Sequence, residues 1–471
     1  MSKKHFILSI LITVCSFYSK TVTAQKKYQI SAKEAVNMAV QNTIELKNLR
    51  LDSARQKAKN REITGLSLPQ ISGSAQGAHY LTLPFVLFPS SGQTDIYNVL
   101  SKEGVKDGNG NPIQPQQQFS IQEFSFVQPW SINAGITLNQ LLFQPEVFTG
   151  LMARKTLMDF ASKNIKIAED KTIEQVQKAY YQVLIAQQQK EVLDKTIQRI
   201  EKLFNDQQQL YKNGFIEKLD IDKTTVALNN IRSSQSQLNN LIELGYAALK
   251  FATGVMQEDT LTLTDALTDE LIKENLLEEE IDYNNRSEMQ LLASAEKLGK
   301  LDLQRYRLGY IPTVAFFYQF QQQGQLNKNF SAIRGSDWFW FNSNLIGLSV
   351  NVPIFDGLQK KYQIDQAKIA LQKTQNSKEQ FRQAADLEHH ASRINLRNAI
   401  INMDIQKKNL QLAEQVYLTT KKKYEQGIGN TFEVLQSDAE LQRAQGSYFE
   451  SLYNAVIAKI NFQKAIGKLK N

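Results

Sequence analysis

Residues Tyr424–Gly467, YEQGIGNTFEVLQSDAELQRAQGSYFESLYNAVIAKINFQKAIG, have a second copy in the chain. The earlier copy is Tyr211–Gly254, YKNGFIEKLDIDKTTVALNNIRSSQSQLNNLIELGYAALKFATG. The Tyr, the Gly three residues after it and the final Gly recur at an offset of 213 residues, and Leu228 matches Leu441 between them. Self-similarity over this length indicates a duplicated structural unit.

The duplication extends over most of the chain. Phe143 in GITLNQLLF matches Phe355 in GLSVNVPIF at an offset of 212 residues. Further upstream the offset becomes 243, and it joins two pairs of residues, Asn42 with Asn285 and Pro69 with Pro312. The difference of 31 residues is therefore an insertion between Pro69 and Phe143. The predicted repeats are residues 25–254 and 255–471.

Residues 1–24 have the pattern of a secretory signal peptide. Lys3 and Lys4 precede an apolar run, and Val22-Thr23-Ala24 forms a small-residue cleavage site. Cys15 is the only cysteine and lies in that run, so the mature protein is expected to have neither an internal disulfide nor a thiolate metal site. A lipoprotein signal ending at Cys15 stays open as an alternative, although Val14 is bulky where a small residue is required.

Two long stretches contain neither glycine nor proline, residues 151–213 and 358–426. Proline breaks a helix interior and glycine weakens it by about 1 kcal/mol, so the two stretches predict very long helices. At about 1.5 Å per residue, each helix spans on the order of 100 Å. Together with the returning helices they predict helical hairpins at about 146–252 and 357–466.

The returning helices carry a heptad seam of apolar and small side chains. In the second copy its members are Val434, Leu441, Tyr448, Ala455 and Phe462, followed at three residues by Ser437, Ala444, Ser451, Ala458 and Ala465. In the first copy they are Ile221, Leu228, Gln235, Ile242 and Leu249. Seven-residue spacing is typical of packing against a partner helix, and the core of an ordinary helical bundle is the alternative.

Four stretches alternate between apolar and polar residues, at about 70–83, 129–143, 313–323 and 344–355. The alternating runs within them, such as Trp130–Leu138 and Ile346–Ile354, have about the 9 to 11 residues of a tilted membrane strand. We expect an aromatic girdle at the lipid headgroups, formed by side chains near the strand ends, namely Trp130, Trp338, Phe339, Trp340 and Phe341. Four strands cannot close a membrane barrel, so either they form a soluble sheet or several chains pool them.

These motifs resemble the outer membrane efflux proteins of the TolC type over the whole mature chain. The resemblance rests on six motifs in the family's order, which are NTIEL and NRSEM, LPQI and YIPTV at the entry to the strands, QLLF and VPIFDG at the exit, and the two Tyr-Gly turns. Both Asn motifs lack the family's usual proline and have Ile44 and Ser287 instead.

The resemblance implies an α+β membrane protein. Three chains give four strands each to a twelve-stranded β-barrel in the outer membrane, and a helical coiled-coil tunnel continues it through the periplasm. An equatorial belt comes from residues 255–282 and the C-terminal residues, and the insertion at 84–128 lies outside the cell. The implied partners are outer membrane lipid, a periplasmic adaptor and an inner-membrane RND or ABC transporter. The implied function is a passive exit duct of a tripartite efflux pump or type I secretion system, with no cofactor.

The resemblance also implies residue roles at the two helical hairpin tips. Adaptor contact falls on two dipeptides, Gly214-Phe215 and Gly427-Ile428. The pore constriction matches Asp220, Tyr424 and Glu433. The family's basic residue at this constriction is here Gly429, and its second acidic position is Gln436, so the closed state is expected to have one carboxylate ring and to lack an ion pair.

Other classes of function find little support in the sequence. His389 and His390 are adjacent and point about 100° apart on a helix, so they predict a solvated surface and not a metal site. Nucleophile elbows, phosphate loops and dinucleotide fingerprints do not occur. The net charge of +8 is spread along the chain and does not indicate nucleic acid. A secreted structural coiled coil without a channel explains the heptads but not the strand pairs or the duplication.

Overall fold

A computed structural model describes residues 26–90, 92–114, 120–266, 272, 279–326 and 338–469. The predicted signal peptide and Cys15 lie outside these residues. The chain forms two compact units, one from residues up to 58 with 153–300 and 368–471, the other from 59–152 and 301–367. Each unit is described by itself.

The described residues form eight helices and eight strands. The helices are α1 Ala32–Asn42, α2 Ile44–Gly65, α3 Gly92–Lys102, α4 Pro145–Lys212, α5 Lys218–Thr253, α6 Ser287–Leu308, α7 Gln359–Glu425 and α8 Thr431–Ala465. The strands are β1 Lys27–Ile30, β2 Gln70–His79, β3 Val86–Ser90, β4 Ser120–Phe124, β5 Trp130–Phe143, β6 Thr260–Leu263, β7 Thr313–Leu326 and β8 Phe339–Asn351.

The long helices α4 and α7 run 68 and 67 residues, through the two stretches that contain neither glycine nor proline. Each is followed by a short turn and a returning helix, α5 of 36 residues and α8 of 35 residues. In α8 four of the five seam residues are buried, with an exposed fraction of 2% at Val434 and Leu441 and 0% at Ala455 and Phe462, while Tyr448 is half-buried. The small residues three positions later, Ser437, Ser451, Ala458 and Ala465, are buried as well. The seam is therefore the packing face of α8.

The two ends of each repeat meet at a glycine. Gly254 has φ +70°, and a Cβ on it would lie 2.7 Å from the Cβ of Asn42. Gly467 has φ +74°, and a Cβ on it would lie 3.2 Å from the backbone carbon of Asn285. Both glycines therefore combine a left-handed backbone with close approach, which requires the missing side chain. In each repeat, the Asn motif is therefore the place where the end of the repeat packs against its beginning.

Residues 255–282, expected in an equatorial belt, provide strand β6, which pairs in parallel with β1 near the N-terminus. The Tyr180 hydroxyl donates to the carbonyl of Ile30 over 3.2 Å and accepts from the Asp265 N–H over 3.3 Å. Burial raises the pKa of Tyr180 above its ordinary value, so this side chain stays neutral. The β1–β6 pair was not predicted from the sequence, because four-residue strands carry too little alternation to be recognised.

The second unit contains an antiparallel four-stranded sheet in the order β2-β5-β7-β8. Its register places Ile136 opposite Phe320, and Leu138 and Ile346 opposite Tyr318 on the same face. The other face carries polar residues of β5 and β7, for example Thr137 opposite Gln319 and Asn133 opposite Gln323. One face is therefore mainly apolar and the other mainly polar.

The insertion is more regular than the sequence indicates. Its turn and loop chemistry predicts an irregular segment at 84–128, but the structure contains a hairpin of β3 and β4 and the eleven-residue helix α3. The proline-rich composition concealed these elements, because Pro89 itself takes part in the β3–β4 ladder opposite Ile121. None of the described helices is both long and apolar enough to cross a membrane.

Candidate functional site

The two hairpin tips have the same backbone geometry. In the first turn the N–H of Gly214 donates to the Tyr211 carbonyl over 2.9 Å, and that of Phe215 donates to the Leu210 carbonyl over 2.9 Å. In the second turn Gly427 donates to Tyr424 over 2.9 Å and Ile428 to Lys423 over 3.0 Å. These paired bonds satisfy the last carbonyls of the long helices, as in a Schellman motif.

Each tip presents a large apolar side chain to solvent. Gly214 and Gly427 have φ +77° and +73°, and a Cβ on either would meet no atom within 4 Å. The next residues, Phe215 and Ile428, are 75% and 76% exposed. A turn needs glycine for the positive φ but does not need an exposed apolar side chain. Phe215 and Ile428 therefore lie at matching, solvent-exposed positions of the two tips.

Glu433 lies in the first turn of α8. Its backbone N–H donates to Oδ1 of the N-cap residue Asn430 over 2.9 Å, and its side chain is exposed. A Cβ on Gly429 would lie 3.5 Å from Glu433 Oε2, so the carboxylate lies beside Gly429. The positive end of the helix dipole favours a carboxylate at this position.

Asp220 and Tyr424 differ in exposure, since Asp220 is partly exposed and the Tyr424 hydroxyl is buried. Asp220 is half-exposed in the first turn of α5, where its N–H donates to the Glu217 carbonyl over 3.1 Å. The ring of Tyr424 packs against a cluster of Tyr417, Val434 and Leu441. The Tyr424 hydroxyl is buried, and within the described residues it has no hydrogen-bond partner. Within one chain, the carboxylates of Asp220 and Glu433 therefore form no hydrogen bond with the Tyr424 hydroxyl.

A buried ion pair joins the two repeats on the same helices. Nη2 of Arg199 on α4 lies 2.9 Å from Oδ1 of Asp438 on α8, whose side chain is 2% exposed. Gln442 Nε2 donates to the other carboxylate oxygen over 2.5 Å, and the guanidinium lies 4.9 Å from the ring centre of Tyr417 on α7. Three long helices are therefore fixed together by one polar cluster.

This cluster was not predicted from the sequence, although Asp438 gives a signal. Asp438 lies four residues after Val434 and three before Leu441, so it belongs to the buried stripe of α8. A charge on an apolar stripe requires a partner, because burial of an unpaired carboxylate is costly. The partner was not predictable, since Arg199 lies 239 residues away in the other repeat.

A buried cation lies in the NRSEM motif. The side chain of Arg286 is 4% exposed and forms ion pairs with Glu388 over 2.9 Å and Glu288 over 3.3 Å. Its Nη1 also donates to the carbonyl of Ala465 at the end of α8, over 3.1 Å. This arginine anchors the turn in which the family's proline is absent.

One residue of the histidine pair, His389, differs from the predicted solvated surface. His389 is half-buried, with its ring 5.7 Å from that of Phe462, and its Nε2 lies 3.2 Å from the Glu279 carbonyl. His390 is exposed. In the part of the chain that the structure describes, no three His, Cys, Asp or Glu side chains are grouped to hold a metal ion.

A model of the outer membrane efflux protein family matches residues 126–255 and 289–468 of the chain. These ranges contain both hairpin tips, the buried Arg199–Asp438 pair and three of the four strands of the sheet. No curated protein sequence matches the chain.

Several solved structures have a similar fold. CusC, studied for the conformational changes that accompany its folding and transmembrane channel formation, has a TM-score of 0.70 at 13% identity, covering 93% of this chain and 92% of that one. The CmeC outer membrane channel of Campylobacter jejuni gives 0.68 at 13% identity, covering 93% and 85%. The outer membrane protein VceC of Vibrio cholerae gives 0.67 at 12% identity, covering 93% and 96%.

Proposed function

Because the chain belongs to the family of outer membrane efflux proteins, we propose that it is the passive exit duct of a tripartite pump or type I secretion system. An inner-membrane transporter of the RND or ABC class supplies the energy, and a periplasmic adaptor joins it to the duct. The helices carry the conduit through the periplasm and the strands carry it through the outer membrane, with the insertion at 84–128 outside the cell.

The duct is a homotrimer. In the order β2-β5-β7-β8, strands β2 and β8 are the two edges of the sheet. An open edge in lipid leaves backbone N–H and C=O groups without partners, which costs several kcal/mol for each group. Pairing of β8 with β2 of the next chain satisfies both edges and closes a barrel of twelve strands. The apolar face then contacts lipid and the polar face lines the lumen.

The adaptor binds at the hairpin tips. The observation that carries this proposal is the repeated glycine turn that leaves Phe215 and Ile428 about three quarters exposed. Apolar side chains at the end of a helical hairpin fit the grooves between helices of a partner hairpin. Gly214 and Gly427 keep the backbone narrow enough for that approach, since neither has a side chain.

Two variants that act in different ways test whether the adaptor binds at the tips. Gly427→Trp introduces bulk and strains the positive φ, whereas Ile428→Asp keeps the turn and only removes the apolar contact. We expect both variants to form trimers with normal heat-modifiable migration on gels. Both are expected to lose site-specific crosslinking to the adaptor and to lose export. Normal export by both variants would exclude the tips as the adaptor site.

The alternative function is a secreted structural coiled coil without a channel. A conductance measurement distinguishes it from the proposed duct. Purified trimers in planar lipid bilayers are expected to give discrete single-channel conductance steps. Trimers that insert but do not conduct would favour the structural protein over the duct.

A further inference from the structure

The four strands of the sheet carry no Asp, Glu, Lys or Arg. On the polar face, β7 instead carries a row of amides at Gln319, Gln321, Gln323 and Gln325. Their neighbours on β5 include Asn133 opposite Gln323 and Ser131 opposite Gln325. If this face lines the lumen, as proposed above, the barrel wall offers hydrogen bonds but no ion pairs.

The aromatic residues near the strand ends divide between the two faces. Trp130 lies opposite Leu326, and Trp340 lies opposite Gly324, on the apolar face. Successive side chains of a strand point to opposite faces, so Phe339 and Phe341 lie on the polar face, opposite Gln325 and Gln323. Phe339 and Phe341 are therefore not part of the predicted lipid girdle of five aromatic residues, because they lie on the face proposed to line the lumen.

Two other aromatic rings of the sheet have a packing role that explains them. A Cβ on Gly324 would lie 2.8 Å from the Trp340 ring, and a Cβ on Gly347 would lie 2.6 Å from the Phe317 ring. Each ring thus covers a glycine of the neighbouring strand, which is a known device for stabilising sheets. Phe339 and Phe341 instead contact each other, with ring centres 5.9 Å apart, and remain 69% and 38% exposed.

We propose that Phe339 and Phe341, with Gln323, Gln325, Ser131 and Asn133, form a binding site for uncharged amphiphilic ring compounds on their way out of the duct. The phenyl rings stack on an aromatic ring, and the amides and the Ser131 hydroxyl bond to its polar substituents. The four strands carry no Asp, Glu, Lys or Arg, so they offer no permanent charge for recognition of an ionic ligand. The site lies where β7 ends and β8 begins, away from the strand ends that join the helices.

The site rests on the proposed duct, and a bilayer experiment separates the two. 4-Nitrophenyl glucoside, an uncharged ring compound with hydroxyls, is added to single channels, with glucose as the control that lacks the aromatic ring. We expect the aromatic probe to interrupt the current and glucose to have much less effect. A channel that conducts without such interruptions would overturn the site and leave the duct intact, whereas the absence of conductance would overturn the duct.

Variants assign the interruptions to the two rings. In Phe339→Ser with Phe341→Ser, the mean duration of an interruption is expected to fall about tenfold. Leu345→Ser is the matched control, because Leu345 lies opposite Gln319 on the same face of β8 and is 54% exposed. If the two serine substitutions prevent assembly, Phe339→Leu with Phe341→Leu replaces them. This variant keeps apolar bulk but removes the aromatic rings, and it is expected to shorten the interruptions in the same way. Unchanged durations in either pair would overturn the assignment.

A labelling experiment tests whether a neighbouring chain covers the site instead. Cys15 is the only cysteine and lies in the predicted signal peptide, so Phe339→Cys introduces one thiol into the mature chain. A soluble thiol reagent is expected to label it in the assembled trimer, with 4-nitrophenyl glucoside slowing the reaction. Complete protection without the probe would show that another copy occupies the rings, and would overturn the proposal.

Discussion

At the scale of single residues, the buried pair of Arg199 and Asp438 makes the sharpest prediction. Arg199→Leu leaves the carboxylate of Asp438, which is 2% exposed, without its cation. An unpaired buried charge costs about 3 to 5 kcal/mol, so we expect the free energy of unfolding to fall by about 3 kcal/mol. Chemical denaturation followed by circular dichroism measures the loss.

The double variant Arg199→Leu with Asp438→Thr is the control for this prediction. Leu412 and Thr225 occupy the matching positions of the other repeat, so both substitutions use residues that the duplicated helices already accept. Because the double variant buries no unpaired charge, its stability is expected to exceed that of Arg199→Leu. Strictly additive losses would mean that the two side chains do not stabilise each other.

Glu296 makes a prediction about pH. Hydrogen bonds from Lys300 and then Lys378 lower the pKa of its carboxyl from 4.5 to about 2. A lowered pKa in the folded state gives stability that is complete above pH 4.5 and is lost as the pH falls towards 2. Glu296→Gln is therefore expected to be less stable than the native protein at pH 7, with a difference that vanishes near pH 2. A constant difference across denaturation curves from pH 7 to 2 would contradict the charge effect.

At the scale of elements, the seam of α8 predicts where apolar truncation is costly. Phe462 is 0% exposed and Phe432, on the same helix, is 57% exposed. Replacement of a buried phenylalanine by alanine costs about 3 to 5 kcal/mol, because it removes apolar burial and leaves a cavity. We expect Phe462→Ala to lose about that much stability and Phe432→Ala to lose little. Equal losses would show that assembly, and not the seam within the chain, buries both rings.

The elements differ in how far the sequence predicts them. The long helices and their glycine turns were predictable, because residues 151–213 and 358–426 contain neither glycine nor proline and the Tyr-Gly turn occurs in both repeats. The β1–β6 pair and helix α3 were not, since short elements of mixed composition carry too little periodicity. The Arg199–Asp438 contact depends on how helices of different repeats meet, which no local pattern encodes.

At the scale of the whole molecule, the duplication predicted two repeats that share one plan. The contacts of Gly254 with Asn42 and of Gly467 with Asn285 were not predicted, and they occur at matching positions of the two repeats. The alternating strands predicted a sheet with an apolar and a polar face. The aromatic girdle was assigned from composition near the strand ends, which ignores side-chain parity. Only the strand register shows that Trp340 lies on the apolar face, whereas its neighbours Phe339 and Phe341 lie on the polar face.

The assembled duct predicts a cation preference that depends on Glu433. Three copies around the axis would place three exposed carboxylates near the tips, while Gly429 supplies no basic partner and Gln436 adds no second ring. A ring of carboxylates attracts cations and repels anions, and salt screens the effect within about 10 Å at 0.1 M. In bilayers at low salt, Glu433→Gln is therefore expected to reduce cation preference and to weaken block by multivalent cations.

Two further variants identify the position of this charge. Glu440→Gln removes an exposed carboxylate from the same helix, two turns beyond Glu433, and is expected to leave selectivity unchanged. Gly429→Arg restores a cation whose Cβ would lie 3.5 Å from Glu433 Oε2, so it is expected to lower cation preference as Glu433→Gln does. Retained selectivity in both Glu433→Gln and Gly429→Arg would place the constriction elsewhere along the helices, because a carboxylate ring at the narrowest point controls the current only while its charge remains.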